Sequence, residues 1–349
     1  MQLTKWIRTA VMVGVAMAAG AAGAWAEVIV PFDIPGMPDG SPVMPKRINN
    51  AGVVVGDYVV LDFVSGAHAY HAFLRMPDGT IQTIDPPEAM STSATGITET
   101  GLVSGYFYTE DGPTRGFIRS ADGVFTIVDI PGALAAALFD INEQGEALGI
   151  AYLPGEESRP FVRHVDGTIE SIQVGSSRYT LTGGINDAGV TTGSYHQGPL
   201  RVMDRTQAFV RTPDGHARTV PVGTMRSVYP GRINNAGAIA AVCVDQAMAQ
   251  HGCVLKAGQS AAVFDAPAAI DGTIPVDINA SGTTAGYFLT RAPEGWTEHH
   301  GFIRTSDGTL TPIDVADGGV TDVTGINDDG VVIGTVYLNT GTLGFIRFP

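Results

Sequence analysis

The eight histidines are the first residues in this sequence whose chemistry could support metal binding or proton transfer. His68 and His71 are three residues apart, and His299 and His300 are adjacent. On extended strands these spacings direct the two side chains to opposite faces, so neither pair is suited to hold one metal ion. The Asp-Gly pairs fit hairpin turns and extend into no EF-hand or Gly-Gly-x-Gly-x-Asp pattern. We therefore predict no metal and no cofactor.

Catalytic motifs are missing from the sequence. It contains no Gly-x-Ser-x-Gly elbow, P-loop, His-Glu-x-x-His or Cys-x-x-Cys. Asp and Glu number 35, so a carboxylate pair suited to acid–base chemistry could still assemble in space. The sequence thus predicts no catalytic residue and favours a protein that is not an enzyme.

Candidate ligand-binding residues concentrate in polar segments at 196–207 and 290–300 and in a connection near residue 226. Trp296 is the single tryptophan beyond residue 26, and a Trp at a polar loop tip suggests ligand stacking or an interface anchor. Alternatively, its ring covers the structure below. The predicted ligand-binding residues are Trp296, His299, Arg201, Asp204, Arg226 and Tyr229.

A repeat determines which elements position these residues. The pattern Ile-Asn-x-x-Gly occurs six times, and a seventh copy has Thr in place of Asn; successive copies start 44 to 49 residues apart. Such a period is typical of solenoids and propellers. The Asn or Thr positions are Asn49, Thr98, Asn142, Asn186, Asn234, Asn279 and Asn327.

Each copy divides into four short strands, here called a to d. In the second copy, strand a ends at Ile97, strand b covers 102–108, strand c covers 116–119 and strand d covers 124–130. Runs of β-branched and aromatic residues bounded by Asp-Gly turns favour strands. Four strands per repeat predict an all-β fold, a seven-bladed propeller of four-stranded antiparallel blades.

The two ends of the chain complement each other. The seventh copy ends after a strand c, and residues 28–35 resemble a strand d. We predict that this N-terminal strand completes the last blade and closes the ring, which removes exposed sheet edges. Residues 27–349 then form a single domain, which we expect to be monomeric.

His71-Ala72-Phe73, which follows an Ile-Asn-x-x-Gly strand, resembles the HAF-type extracellular repeat of bacterial secreted proteins. The resemblance covers nearly all of residues 28–349, although the triplet drifts to forms such as Gln207-Ala208-Phe209. It implies an exported β-rich repeat protein and implies no catalytic residues.

The repeat register also relates the two cysteines. Cys243 and Cys253 occupy positions where other copies have Phe, and these positions are expected to be cross-strand neighbours in one blade. In an oxidising compartment we predict a disulfide between them, with two free buried thiols as the alternative.

Residues 1–26 predict a secretory signal peptide. Lys5 and Arg8 precede a short apolar run at 9–23, and Ala24-Trp25-Ala26 has the form of a cleavage site. The run is shorter than the ~20 residues that a membrane span needs, so we expect export to the periplasm or the exterior without membrane insertion. The net charge of −15 argues against a nucleic-acid partner.

The loops differ between the two ends of the predicted ring. The a–b and c–d turns are short and nearly identical, whereas the b–c loops and d–a connections vary. Variable loops on a fixed scaffold carry function, so we expect a binding or interaction scaffold that presents the b–c loops to a glycan or protein. The alternatives are a glycan hydrolase or lyase with acidic residues at the channel mouth, and a structural envelope protein.

Overall fold

The prediction of a seven-bladed β-propeller is confirmed. A computed structural model describes residues 28–38, 40–61, 68–110, 112–155, 158–177, 179–196, 205–315 and 319–349. Their strands form seven four-stranded antiparallel sheets, and the described residues contain no helix. None of the described residues therefore belongs to a helix able to cross a membrane.

Each blade contributes its strands in the order a, b, c, d from the central channel outwards. Blade 1 contains β2 (Val43–Ile48), β3 (Val54–Leu61), β4 (His68–Arg75) and β5 (Ile81–Thr83). Blade 2 contains β6 (Ser91–Ile97), β7 (Val103–Tyr108), β8 (Arg115–Arg119) and β9 (Phe125–Val128). Blade 3 contains β10 (Ala135–Ile141), β11 (Ala147–Tyr152), β12 (Ser158–Arg163) and β13 (Ile169–Ser171). Blade 4 contains β14 (Tyr179–Ile185), β15 (Thr191–His196), β16 (Thr206–Arg211) and β17 (Ala217–Thr219).

Blade 5 contains β18 (Ser227–Ile233), β19 (Ala238–Val244), β20 (Gln250–Lys256) and β21 (Ala262–Phe264). Blade 6 contains β22 (Gly272–Ile278), β23 (Thr284–Arg291), β24 (Thr297–Arg304) and β25 (Leu310–Ile313). Blade 7 contains β26 (Val320–Ile326), β27 (Val332–Leu338), β28 (Gly341–Phe348) and, as its strand d, β1 (Val28–Phe32).

The N-terminal strand closes the ring, as predicted. It pairs antiparallel with β28, from Val28 opposite Phe348 to Phe32 opposite Gly344. The strand ends at Phe32 rather than at residue 35, because a turn at Pro35 and Gly36 follows directly. The closing pair is thus made of residues from the two ends of the repeat array.

The Ile-Asn-x-x-Gly motif forms the a–b turn through its Asn side chain. In blade 1, Asn49 Oδ1 accepts a hydrogen bond from Val53 N at 2.9 Å, and Gly52 has φ 77°. The φ values of the seven motif glycines lie between 71° and 84°, a region that strongly favours glycine. The repeat therefore encodes one turn geometry seven times.

Every strand a contains a β-bulge just before this turn. At this point strand b has a glycine in six blades and Ala241 in blade 5; Gly193, for example, lies opposite Thr182. A methyl group at Gly193 would overlap the carbonyl oxygen of Leu181 in strand a. The repeated glycine thus makes room within its own sheet. A bulge also redirects the side chains beside it.

The core lies between successive blades. The strand-c Phe is fully buried in six blades, and Cys253 takes its place in blade 5. Truncating a buried Phe typically costs about 3–5 kcal/mol, so these rings dominate the packing of blade on blade. The six rings are Phe73, Phe117, Phe161, Phe209, Phe302 and Phe345.

Two unlike faces result. We call the end with the a–b and c–d turns the a–b turn face, and the end with the b–c loops and d–a connections the b–c face. The direction of strand a, which starts at the b–c face and ends at the a–b turn, orders the channel-lining residues by depth.

Candidate functional site

The hairpin that carries Trp296 is more regular than the sequence suggested. We expected a long loop over 290–300, but β23 continues to Arg291 and β24 begins at Thr297. Residues 292–296 form the turn, closed by a hydrogen bond from Ala292 N to Trp296 O at 2.9 Å. Trp296 is 57% exposed at this tip.

His299 lies on strand β24 and bridges two blades. Its Nδ1 is 2.7 Å from Asp322 Oδ1 of blade 7, and its ring stacks on Tyr287 with centroids 5.0 Å apart. Burial and the charge of Asp322 raise the pKa of Tyr287. The same two causes raise the pKa of Tyr337. These four side chains form a polar cluster between blades 6 and 7.

The remaining predicted residues are partly described. Tyr229 lies in strand a of blade 5 rather than on the preceding connection, because β18 begins at Ser227, and it is 40% exposed. Arg226 lies on that connection, and its N–H donates to Val244 O at 2.8 Å. Arg201 and Asp204 lie outside the described residues, as does the predicted signal peptide.

The histidine of the HAF triplet contacts an aspartate at the end of strand d in its own blade. His71 Nδ1 is 2.6 Å from Asp85, and His300 Nδ1 is 2.8 Å from Asp314. Arg115 makes the same pairing with Asp129 at 3.2 Å in blade 2. This recurrence assigns the position to blade structure. No three His, Cys, Asp or Glu side chains in the described part of the chain are grouped to hold a metal ion.

Cys243 and Cys253 are joined by a disulfide, and both residues are fully buried. The pair is diagonal in the β19–β20 ladder, since Cys243 lies opposite His251 and Cys253 lies opposite Ala241. The bond therefore links strands b and c of blade 5 within the core.

The b–c face carries most of the exposed aromatic and large aliphatic side chains among the described residues. Five tyrosines and Trp296 lie there, together with four aliphatic residues. The exposed large hydrophobic residues that lie on the a–b turn face are Val28, Met76, Val124, Val165 and Phe348, of which Phe348 alone is aromatic. The b–c set is Tyr70, Met90, Tyr108, Leu134, Tyr152, Tyr229, Met248, Ile270, Trp296 and Tyr337.

The a–b turn face is held by two rings of hydrogen bonds that run from blade to blade. In the inner ring the motif Asn donates from Nδ2 to the carbonyl of the same position in the next blade, as Asn186 does to Asn234 at 3.2 Å. In the outer ring the side chain of the residue after the motif Asn accepts from the backbone N–H of the corresponding residue in the preceding blade, as Asp187 Oδ1 does from Glu143 N at 3.0 Å. The inner ring is broken at Thr98, which has no amide, and the outer ring at Ala280, which has no acceptor.

Charged residues meet at one level of the central channel. Two positions before the motif Asn, beside the bulge, the seven blades have Arg47, Gly96, Asp140, Gly184, Arg232, Asp277 and Gly325. Read round the ring, Asp, Gly and Arg occur in consecutive blades twice. The first Asp–Gly–Arg set is Asp140, Gly184 and Arg232 in blades 3 to 5. The second Asp–Gly–Arg set is Asp277, Gly325 and Arg47 in blades 6, 7 and 1.

The first set is closed by an ion pair. Arg232 pairs with Asp140 across Gly184, and its Nη2 donates to Thr95 O and Phe139 O at 3.2 and 3.3 Å. Asp140 also accepts from Ile185 N of blade 4 at 3.0 Å. Burial raises the pKa of Asp140 to about 7, although the charge of Arg47 acts in the opposite direction.

The second set is arranged differently. Asp277 accepts from Ile278 N at 2.9 Å and from Ile326 N of blade 7 at 3.1 Å. Burial raises the pKa of Asp277, and the charge of Arg47 opposes this rise. Arg47 donates from Nη1 to Lys46 O at 2.8 Å and to Thr324 O at 3.2 Å. No ion pair joins Arg47 to a carboxylate within the described ranges.

Arg47 and Arg232 divide the channel into two cavities. The cavity on the a–b turn side has a volume of about 200 Å³. The cavity on the b–c side, here called the funnel, has about 450 Å³. The funnel is lined by Phe139, Ile150, Tyr152, Leu181, Thr182, Gly183, Pro230, Gly231 and Val276 above the two arginines.

The sequence analysis missed the channel residues. A signal was present, because the position two before the motif Asn is the one place in the apolar end of strand a where Arg, Asp and Gly alternate. The depth of that position and its direction depend on the bulge, which the repeat pattern does not show.

Comparisons with known proteins support the fold alone. No protein-family model and no curated protein matches the sequence. Among solved structures, the β-propeller domain of the trilobed protease from Pyrococcus furiosus has a TM-score of 0.61 at 12% identity, covering 88% of this chain and 95% of that one. That propeller is described as having an open velcro topology, whereas β1 and β28 pair here.

Two further solved structures are longer than this chain. The Pyrococcus horikoshii acylaminoacyl peptidase has a TM-score of 0.62 at 11% identity, covering 88% of this chain and 51% of that one. TolB from Acinetobacter baumannii has a TM-score of 0.51 at 13% identity, covering 74% of this chain and 62% of that one. The chain thus spans roughly half to three-fifths of these two proteins, and the likeness is to their propeller architecture.

Proposed function

We propose that this protein is an exported binding scaffold that presents its b–c face to a glycan or protein ligand. The observation that carries the proposal is the concentration of exposed aromatic side chains on this face, with Trp296 and five tyrosines. Tyr and Trp offer large rigid contact areas with a polar edge, and both are enriched where proteins bind sugars or other proteins.

The opposite face supports the same choice. Its repeated polar side chains are committed to blade-to-blade hydrogen bonds, as for Asn186 and Asp187. Side chains held in this way are less available to a ligand, because binding would have to replace bonds that stabilise the ring.

A thermal-shift screen of the mature protein against glycans, divalent metals and small anions tests the proposal. A ligand at about 100 times its Kd adds roughly 2.7 kcal/mol of stability. We expect a hit that is lost in the Trp296→Ala, Tyr229→Ala double variant. The matched control is Val165→Ala, since Val165 is 61% exposed on the a–b turn face.

The outcome is read from the two variants together. Loss of the ligand shift in the double variant, with an unchanged melting temperature of the free protein, supports a site on the b–c face. A shift that survives the double variant but disappears in Val165→Ala contradicts the proposal. If no glycan, metal or anion gives a shift, a protein ligand and a structural envelope role are the remaining alternatives.

One observation favours the second candidate function, a glycan hydrolase or lyase. Asp140 has its pKa raised to about 7 by burial, which suits a general acid at neutral pH, and Asp277 lies in the same ring of residues. Both carboxylates accept backbone N–H bonds from neighbouring blades, which favours a structural use. Glycan cleavage that Asp140→Asn abolishes without unfolding the protein would favour the enzyme.

A further inference from the structure

The funnel combines an apolar wall with a cationic floor. Phe139, Leu181, Pro230 and Val276 line its sides, and Arg47 and Arg232 lie at its base. Its volume of about 450 Å³ falls in the range of small-molecule sites, which are mostly apolar with a few polar groups that fix orientation.

The two arginines at the floor are not equivalent. Arg232 is neutralised by Asp140 and donates to two carbonyl oxygens across the channel. Arg47 has two carbonyl partners for Nη1, no ion pair in the described part of the chain, and a buried Nε without a hydrogen-bond partner. A guanidinium with unused donors in a confined site favours a carboxylate, which can accept two hydrogen bonds in parallel.

The charged groups at this level leave Arg47 as the arginine without an ion pair in the described part of the chain. Two guanidinium groups face two buried carboxyls, Asp140 and Asp277, whose pKa values are raised by burial. Three carboxylates of the outer ring, Glu99, Asp187 and Asp328, line the cavity on the other side of the arginines.

The space for a ligand depends on two small residues. Gly183 and Gly231 stand in the wall of the funnel where blade 3 has Phe139 and blade 6 has Val276. A methyl group on Gly183 would lie 2.7 Å from Gly231 O, so larger side chains have no room there. At the level of Gly183 and Gly231 the funnel wall is therefore bare backbone.

We propose that the funnel binds a small organic acid whose carboxylate contacts Arg47 and whose apolar body fills the space between Phe139 and Leu181. The inference goes beyond the proposed function, because neither Trp296 nor Tyr229 lines the funnel. It concerns a small-molecule site inside the ring, whereas the exposed aromatic residues other than Tyr152 lie outside the funnel.

The test uses calorimetry on the mature protein with three probes: phenylpropionate, its uncharged amide phenylpropionamide, and inorganic phosphate. We expect saturable binding of the acid, binding of the amide that is weaker by about tenfold or more, and no binding of phosphate at the same concentration. An amide that binds as tightly as the acid, phosphate that competes with it, or an acid that does not bind at millimolar concentration would overturn the proposal.

Two variants locate the site. Arg47→Gln should weaken binding of the acid by about tenfold or more and leave binding of the amide unchanged. Leu181→Trp should block both, because it fills the funnel without touching Arg47. The control is Arg163→Gln in the c–d hairpin of blade 3, which donates to His164 O far from the channel and should leave acid binding unchanged. Arg47→Gln also removes a hydrogen bond to blade 7. If the Arg47→Gln variant does not fold, Leu181→Trp alone tests the proposal. Acid binding that survives Leu181→Trp refutes it.

Rim variants separate this inference from the proposed function. The Trp296→Ala, Tyr229→Ala double variant should bind phenylpropionate as the wild type does. If that variant loses the acid while Leu181→Trp retains it, the acid binds at the rim and the funnel proposal fails although the b–c face remains a binding face.

Discussion

The two faces of the propeller use the same repeat in opposite ways. On the a–b turn face the repeat positions are nearly uniform, and their side chains bond the next blade, as Asn234 does to Asn279 O at 2.8 Å. On the b–c face the strands end in different residues, among them Tyr108, Tyr152 and Tyr337, which are exposed. The a–b turn face thus holds neighbouring blades together, whereas the b–c face carries different exposed residues in each blade.

This difference teaches where variation is tolerated. Substitution of a repeated polar residue on the a–b turn face, such as Asn186, removes a hydrogen bond between two blades. A substitution on the b–c face changes a surface side chain, which usually alters stability by less than about 0.5 kcal/mol. Function can therefore diversify on the b–c face without loss of the ring.

The largest effect is expected from opening the ring, on which both faces depend. Deletion of residues 27–36 takes away β1 and leaves β28 with an unpaired edge. We expect aggregation or a strongly lowered melting temperature, because an open hydrophobic edge strand templates association. Light scattering during a thermal melt measures this, and wild-type melting of the deletion variant would contradict ring closure by β1.

The disulfide is buried in the core between the two faces, so its loss should affect stability and leave ligand binding unchanged. Reduction of Cys243–Cys253, which are ten positions apart, should lower the free energy of unfolding by about 2–3 kcal/mol without affecting ligand binding. Denaturant titrations with and without reductant measure the change. A thiol assay in denaturant provides the check: two reactive thiols before reduction would show that the bond does not form.

Asn186→Ala should destabilise the a–b turn face. The buried amide accepts from Val190 N at 3.0 Å and donates to Asn234 O, so its loss should cost about 2 kcal/mol. Asn186→Thr is the matched variant, since Thr98 Oγ1 accepts the equivalent turn bond from Leu102 N at 2.9 Å. If Thr restores full stability in urea unfolding, the bond between blades contributes nothing.

Thr98→Asn should stabilise the protein. Thr98 is the position where the inner ring is broken, and an Asn there would donate to Asn142 O as the other copies do. We expect a gain of about 1 kcal/mol in the free energy of unfolding. An unchanged or lower value would mean that the blade 2–3 contact is already optimal without the amide.

The smallest effect is a pH dependence of the free energy of unfolding that comes from His164 on the a–b turn face. His164 lies between Glu146 at 2.9 Å and Glu170 at 3.1 Å, and these hydrogen bonds raise its pKa. A raised folded pKa means that the protonated ring stabilises the fold fully below about pH 6.5, the unfolded value, and loses this contribution as the pH rises through the higher folded pKa.

Urea unfolding at pH values on both sides of this transition measures the effect. His164→Gln should flatten the profile in that window, and the control variant is His216→Gln in the exposed c–d hairpin of blade 4. A wild-type slope that His164→Gln leaves unchanged would assign the titration to another group.

The sequence was sufficient for the fold because the repeat constrains strands, turns and closure together. The Ile-Asn-x-x-Gly spacing predicts the a–b turns, and the likeness of residues 28–35 to a strand d predicts the pairing of β1 with β28. Periodic patterns reveal what recurs in each blade, which is why the strand-c Phe and the HAF histidine could be assigned to structure.

The candidate site was harder to predict because it is built from residues that differ between the repeats. Trp296 and Tyr229 were recognised as residue types, but the extension of β23 and β24 comes from cross-strand pairing, and Tyr229 belongs to a strand. Arg47, Asp140 and Arg232 are separated by up to 185 positions and meet only through ring closure and the bulges. No local pattern carries that information.

Ring closure by β1 has a consequence for folding kinetics. The pair Val28–Phe348 joins residues separated by almost the whole described chain, whereas every other sheet pairing lies within one repeat. Local hairpins form in microseconds, but a contact of this sequence separation is formed late and slowly. We therefore expect the six complete blades to form first. Pairing of β1 with β28 is then the last step of folding, and it occurs on a core that is already packed.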